Sequence, residues 1–184
     1  LHGRVVGFVG GALRPPSDAE LGEAGVEPAE LLEAGEVPEQ LGCPESPVYR
    51  PRQLVFGLHQ ARQHVRAADR AVLTGGCFDV LSLHAHGIRN AVATSAWPPT
   101  TQQALLIRRF TECVTILRPA DASGLRAVAA AHEVLRGAGL LVKVATLPTG
   151  TDAAGVVSER GAEAVRQALG AARGLFEFLI DSTL

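Results

Sequence analysis

The sequence predicts an α/β protein: a parallel sheet with helices on both faces, plus a small edge subdomain contributed by the first 52 residues. Three observations predict it. From residue 54 onward, short apolar runs alternate with windows of helical periodicity, and the loops between them are short, which is the pattern of right-handed crossovers between parallel strands. The 184 residues are enough for one domain with a small appendage. Hydrophobic residues make up 47 % and charged residues 20 %, which excludes a fully disordered or fibrous chain. Aromatics are only 4 %, so Val, Leu, Ala and Ile must fill the core.

The elements follow in order. Residues 4–8 read as a strand ending at the Gly10-Gly11 turn. Residues 15–49 follow as an acidic, irregular insertion broken by six prolines, which forbid a long helix. The segment 58–68 is a helix, apolar at Leu58, Ala61 and Val65, with Arg62 and Arg66 as neighbours on one face. Strands are expected at 71–74, 90–94, 113–117 and 140–146. Helices are expected at 79–86, 100–110, 123–137, 161–173 and 175–180. The domain reading is therefore an edge segment over 1–52, a core over 53–155 and a C-terminal helical segment over 156–184. In such a sheet the functional groups sit on loops leaving the carboxyl ends of the strands, here 75–78, 95–99, 118–122 and 147–155.

Charge is unevenly distributed. Residues 15–49 carry nine acids and no Lys or Arg up to Tyr49, while the remaining ten acids face all seventeen basic residues. A basic body suits a polyanionic partner, and the acidic stretch reads as a competing flap, a solubilising insertion or a dock for a basic partner. Arg50, Arg52, Arg62, Arg66 and Arg70 form the densest basic cluster. It reads either as a nucleic-acid track or as a solvated face. The three cysteines, Cys43, Cys77 and Cys113, are more than thirty positions apart without a CxxC pair, against a disulfide framework or a cysteine-based zinc site. No apolar run approaches the roughly 18 residues of a membrane span, so the expectation is a cytoplasmic protein with no membrane partner. Lacking an initiator Met, the sequence reads as part of a longer chain.

Several local strings resemble the Toprim core, or RNA polymerase domain, of the bacterial DnaG-type primase family. Gly3-Arg4-Val5-Val6-Gly7-Phe8 is similar to its opening strand, Pro44-Glu45-Ser46-Pro47 to its "SPET" loop, and Phe56-Gly57-Leu58 to its "YGL" helix start. Gly76-Cys77-Phe78-Asp79-Val80 is similar to "GYMDV", and Ala93-Thr94 to the start of "A-[ST]-L-G-T". Asp121-Ala122-Ser123-Gly124 is similar to the tail of "DGDxAG", and Leu147-Pro148 through Asp152 to "LPDGxDPD". The resemblance implies a Toprim-type, Rossmann-like sheet, a role in DNA replication and synthesis of RNA primers on single-stranded DNA with Mg. Replication proteins are the implied partners, and no zinc is expected in this stretch.

The family places divalent cations with a Glu ending the first core strand, acids ending the third, and the "DPD" loop. Here Gly75 stands at the Glu position, Pro119 and Ala120 replace the first two residues of "DGD", Thr149 replaces the Asp of "LPD", and Ala153-Ala154 replace "PD". Asp79, Asp121 and Asp152 survive. Magnesium needs several hard oxygen ligands in near-octahedral geometry, and losing an acid-base or ligand role costs about 10² to 10⁴ in rate. The expectation is a catalytically degenerate primase-like domain with no intact catalytic residue. It retains at most a weak metal site at Asp79, Asp121 and Asp152, and a nucleic-acid or scaffolding role. The alternatives are an active primase domain and a protein-interaction module using the acidic insertion.

Each of these residues also has a plainer role. Asp79 and Asp121 fall where an acid caps a helix N-terminus, and Asp152, three residues before Gly155, can cap the next turn. Trp97, the only Trp, can stack on a base or simply pack. Cys77 at a strand-to-helix turn reads as a nucleophile only if a His base reaches it, and its nearest candidates, His84 and His86, share its short helix.

Overall fold

A computed structural model describes residues 5–11, 40–95, 97–175 and 177. The chain divides into two compact units, one over 3–50 and one built by 51–184. In the smaller unit, β1 (Val9–Gly11) pairs antiparallel with β2 (Gln40–Gly42), with Val9 opposite Gly42. Residues 5–8, read from the sequence as strand, are irregular; the strand is formed instead by Val9 and the Gly10-Gly11 pair that the sequence marked as a turn, and β2 lies inside the stretch expected to be irregular. Backbone pairing needs no apolar pattern, which is why a three-residue ribbon left no trace in the sequence. Gly7 lies under the Tyr49 ring, where a Cβ would stand 2.6 Å from a ring carbon. The part of the acidic insertion over 15–39 lies outside the described residues.

The larger unit holds a six-stranded sheet in the spatial order β3, β5, β4, β6, β7, β8. Its parallel centre is β4 (Ala71–Thr74), β5 (Ala91–Thr94), β6 (Cys113–Pro119) and β7 (Leu141–Leu147). Two short antiparallel edges, β3 (Val55–Phe56) and β8 (Arg173–Gly174), flank it. The register sets Leu73 beside both Val92 and Ile116, and Ile116 beside Val144. Every residue of β4 and β5 is buried, as expected of strands covered on both faces, and this is why they read as continuous apolar runs.

Helices cover both faces. On one side α1 (Leu58–Ala68), α3 (Thr101–Arg108) and α4 (Ala122–Gly137) pack Leu58, Val65, Ile107, Val128 and Leu135 against Leu73, Ile116 and Val144. On the other, α2 (Cys77–Ala85), α5 (Ala153–Arg160) and α6 (Ala162–Gly170) pack Leu83, Val156, Val157, Val165 and Leu169 against Val72, Leu117 and Ala145. Residues beyond 155 therefore contribute to the same core as the parallel strands. The loop expected over 147–155 gives way to α5, because burial of Ala153, Val156 and Val157 outweighs the low helix propensity of a Gly-Val-Val run. The helix expected at 175–180 falls largely outside the described residues. Among these residues no helix is long and apolar enough to cross a membrane.

Candidate functional site at the mouth of the parallel sheet

The carboxyl ends of β4, β6 and β7 deliver Gly75, Arg118 and the 147–152 loop to one edge of the sheet. Asp79 is the third residue of α2 and folds back over the helix start. Its Oδ2 accepts the Gly76 N–H at 3.2 Å, and its Oδ1 accepts the Ala154 N–H at 3.0 Å. Both oxygens are thereby engaged, one at the start of α2 and one at the start of α5. Asp79 is buried, and burial pushes its carboxyl above the usual carboxylate range; the Asp152 charge pushes the same way, while the backbone donors oppose it.

Asp121 and Asp152 are the N-caps of α4 and α5. Asp121 accepts the Gly124 N–H and Asp152 accepts the Gly155 N–H, each at 2.7 Å. Gly124 is required by the packing, since a Cβ there would run into the Pro119 carbonyl. Among the described residues, no group of three or more His, Cys, Asp or Glu converges so as to hold a metal ion. The three surviving acids are instead each spent, at least through one oxygen, on a backbone donor. Asp79 engages both of its oxygens and Asp121 and Asp152 one each, whereas a divalent cation needs several hard oxygens pointing at one spot.

A side chain that sequence reasoning passed over lies against Gly75. Arg118, at the end of β6, sends its guanidinium towards Gly75: a Cβ on Gly75 would stand 2.8 Å from Arg118 Nη1 and 3.3 Å from Asp79 Oδ2. The guanidinium carbon lies 4.3 Å from the centre of the Trp97 ring, a stacked cation–π contact. Trp97 is held in turn by its Nε1–H, which donates to the Ala127 carbonyl at 2.7 Å, and it packs on the α1/α3/α4 core. Partial burial lowers the Arg118 pKa, and the Asp79 and Asp121 charges raise it. The signal available in the sequence was a basic residue directly before the altered "DGD" string, but only the fold sets it against Gly75.

The basic residues lie on several elements, with Arg62 and Arg66 one turn apart on α1. Arg52 is exposed in the turn before β3. Arg62 is half-buried, 3.1 Å from His59 Nδ1, while Arg66 is exposed and lies 5.0 Å above the Phe110 ring. Arg70 directly precedes β4, at the opposite end of that strand from Gly75, and its Nη1 donates to the Leu169 carbonyl at 3.4 Å. Arg50 is exposed in the smaller unit.

Cys77 heads α2, and burial raises its thiol pKa, the reverse of what a nucleophile needs. His84 and His86 are engaged locally, Nε2 of His84 with the Ala91 carbonyl at 2.9 Å and Nδ1 of His86 with the Ser82 carbonyl at 2.8 Å.

A doubly covered parallel sheet with acids at the starts of the helices following its strands is the arrangement of a Toprim domain, and residues 72–157 match the Toprim-like family. The chain is 36 % identical to a DNA primase of Aquifex aeolicus over 79 % of its length and 29 % of that protein. It is 34 % identical to a DNA primase of Geobacillus stearothermophilus over 96 % of its length and 29 % of that protein. The crystal structure of the zinc-binding and RNA polymerase domains of the Aquifex aeolicus primase superposes on 97 % of the chain and 40 % of that one, with a TM-score of 0.79 and 32 % identity. The chain belongs to the Toprim domains of the bacterial DnaG-type DNA primases, and it spans under a third of the length of these curated relatives.

Proposed function

We propose that this Toprim domain serves DNA replication in the cytoplasm as a primase-like part whose polymerising centre is degenerate, and that it keeps a nucleic-acid-binding or scaffolding role. The observation that carries this reading is the state of the carboxylates. Gly75 stands where the family has a Glu, and both oxygens of Asp79 accept backbone N–H groups. Two-metal nucleotidyl transfer needs carboxylates converging on the ions, and Asp79, Asp121 and Asp152 serve better as helix caps than as a ligand set.

Retained binding rests on charge. The basic excess outside residues 15–49 favours a polyanion, and Arg52, Arg62 and Arg66 of the larger unit and, separately, Arg50 of the smaller one are the residues proposed to touch phosphates. Replication proteins are the proposed partners, and the acidic stretch is the proposed dock for a basic one.

The test is primer synthesis on single-stranded DNA with all four ribonucleotides and Mg or Mn, run beside DNA binding at several salt concentrations. No primers and salt-sensitive binding are expected; metal-dependent primers would establish an active primase domain instead.

A further inference from the structure

The mouth of the sheet contains a cation of its own. Arg118 places Nη1 in the space that any side chain at position 75 would fill. Its flat face is taken by Trp97, so the ring of N–H donors around the guanidinium edge is what remains to bind a ligand. Arg118 Nε is shielded from solvent without a hydrogen-bond partner, and among the described residues no acceptor is bonded to the guanidinium. A shielded donor without an acceptor is costly, whereas an anion with two oxygens matches the guanidinium edge.

The other charges facing this group are Asp79 and Asp121. Asp79 is committed through both oxygens to the backbone, and Asp121 through Oδ1 to Gly124. Neither forms an ion pair with Arg118 among the described residues, so the guanidinium is left available to an incoming anion.

We propose that Arg118 stands in for the divalent cation of this fold: the mouth binds a phosphoryl group directly on the Arg118 guanidinium, stacked on Trp97 and admitted by the missing side chain of Gly75, without a metal ion. The inference deepens the reading of a non-polymerising domain and rests on it. The phosphoryl group can come from a nucleoside triphosphate or from a nucleic-acid backbone, and separate probes distinguish the two.

The experiment titrates the full chain, in EDTA and again with excess Mg, with ATP and with a short single-stranded oligonucleotide. Binding of at least one probe in EDTA, not strengthened by Mg, is expected. Arg118→Gln is expected to weaken it about tenfold or more, the loss of a charge-assisted bidentate contact, and Arg118→Lys to restore part of it. Gly75→Ala gives an independent arm. Its Cβ would displace the flexible end of Arg118 at 2.8 Å and press on Asp79 Oδ2 at 3.3 Å, so phosphoryl binding should weaken by a larger factor than any accompanying loss in thermal unfolding explains. Binding that requires Mg, binding equal in wild type and Arg118→Gln, or no binding of either probe would overturn the proposal. Primer synthesis assayed in parallel separates the two failures. Primers overturn the degenerate reading, whereas Arg118-independent binding without primers overturns only the assignment of Arg118.

Discussion

Asp79 on the first turn of α2 accepts the backbone N–H of Ala154, 75 positions later on the first turn of α5, at 3.0 Å. The same carboxylate holds the Gly76 N–H. One side chain thus fixes the relative position of two helices that follow different strands, and a residue expected from the family to face a metal acts here as a brace. Asp79→Ala leaves two partly buried donors without their acceptor, which costs about 1–3 kcal/mol. Urea denaturation of wild type and variant measures it. A loss near zero would mean that solvent replaces the carboxylate freely and that the brace is not structural.

The same residue gives stability a pH dependence with a definite sign. The native pKa of Asp79 is raised, chiefly by burial, above an ordinary value of 3.8. A carboxyl raised in the native state stabilises the fold while it is protonated, and that contribution is lost as pH rises through the native pKa. Asp79→Asn cannot ionise. Relative to that variant, wild type should lose stability as pH rises from about 4 to 7, and chemical denaturation at each pH measures the difference. A constant difference would show that the backbone donors balance burial, and one of opposite sign that they outweigh it.

The parallel strands and α1 were legible in the sequence because each is written in long apolar or helical periodicity, as at 71–74 and 58–68. The two edge strands were not, since β3 and β8 have two residues each, too few for any pattern. Helix α5 was hidden because Asp152 is its one strong start signal and its stability comes from Val156 and Val157 against the sheet. At the site, the glycine at position 75 could be read, but the side chain that lies against it could not. Gly75 and Arg118 are meaningful only as a pair, forty-three positions apart in the chain, the one just after β4 and the other near the end of the neighbouring strand β6. The capping roles of Asp79 and Asp121 were readable from position, whereas the helix that Asp152 caps and the bond from Asp79 to Ala154 needed the fold.

Gln103 was likewise invisible as a key residue. It is fully buried on α3, where Nε2 donates to the Pro51 and Leu54 carbonyls at 3.0 and 2.8 Å and Oε1 accepts the Thr100 N–H at 2.9 Å. It therefore ties the turn before β3 to the helical layer. Gln103→Leu keeps roughly the same volume but strands two backbone groups, the Leu54 carbonyl and the Thr100 N–H, while the Pro51 carbonyl keeps the Leu54 N–H at 3.1 Å, which predicts a loss of about 2 kcal/mol at roughly 1 kcal/mol or more per unsatisfied group. Thermal and urea unfolding would measure it. Hydrogen exchange should show faster exchange at residues 51–56 in particular, and uniform exchange across the sheet would refute the tie.

Glycine at position 57 is demanded twice over. Its φ is 77°, a left-handed value, and a Cβ there would lie 2.7 Å from Val80 Cγ1. The chain must turn sharply here, because β3 ends at Phe56 and α1 starts at Leu58. Gly57→Ala therefore combines backbone strain of roughly 1–2 kcal/mol with a contact that Val80 must relieve by moving. A measured loss above 1 kcal/mol in urea is expected. Trimming the obstacle in the double variant Gly57→Ala, Val80→Ala should recover the steric part but not the strain, so its non-additivity separates the two causes. Full additivity would show that Val80 yields at no cost and that the left-handed backbone alone explains why the helix start carries glycine.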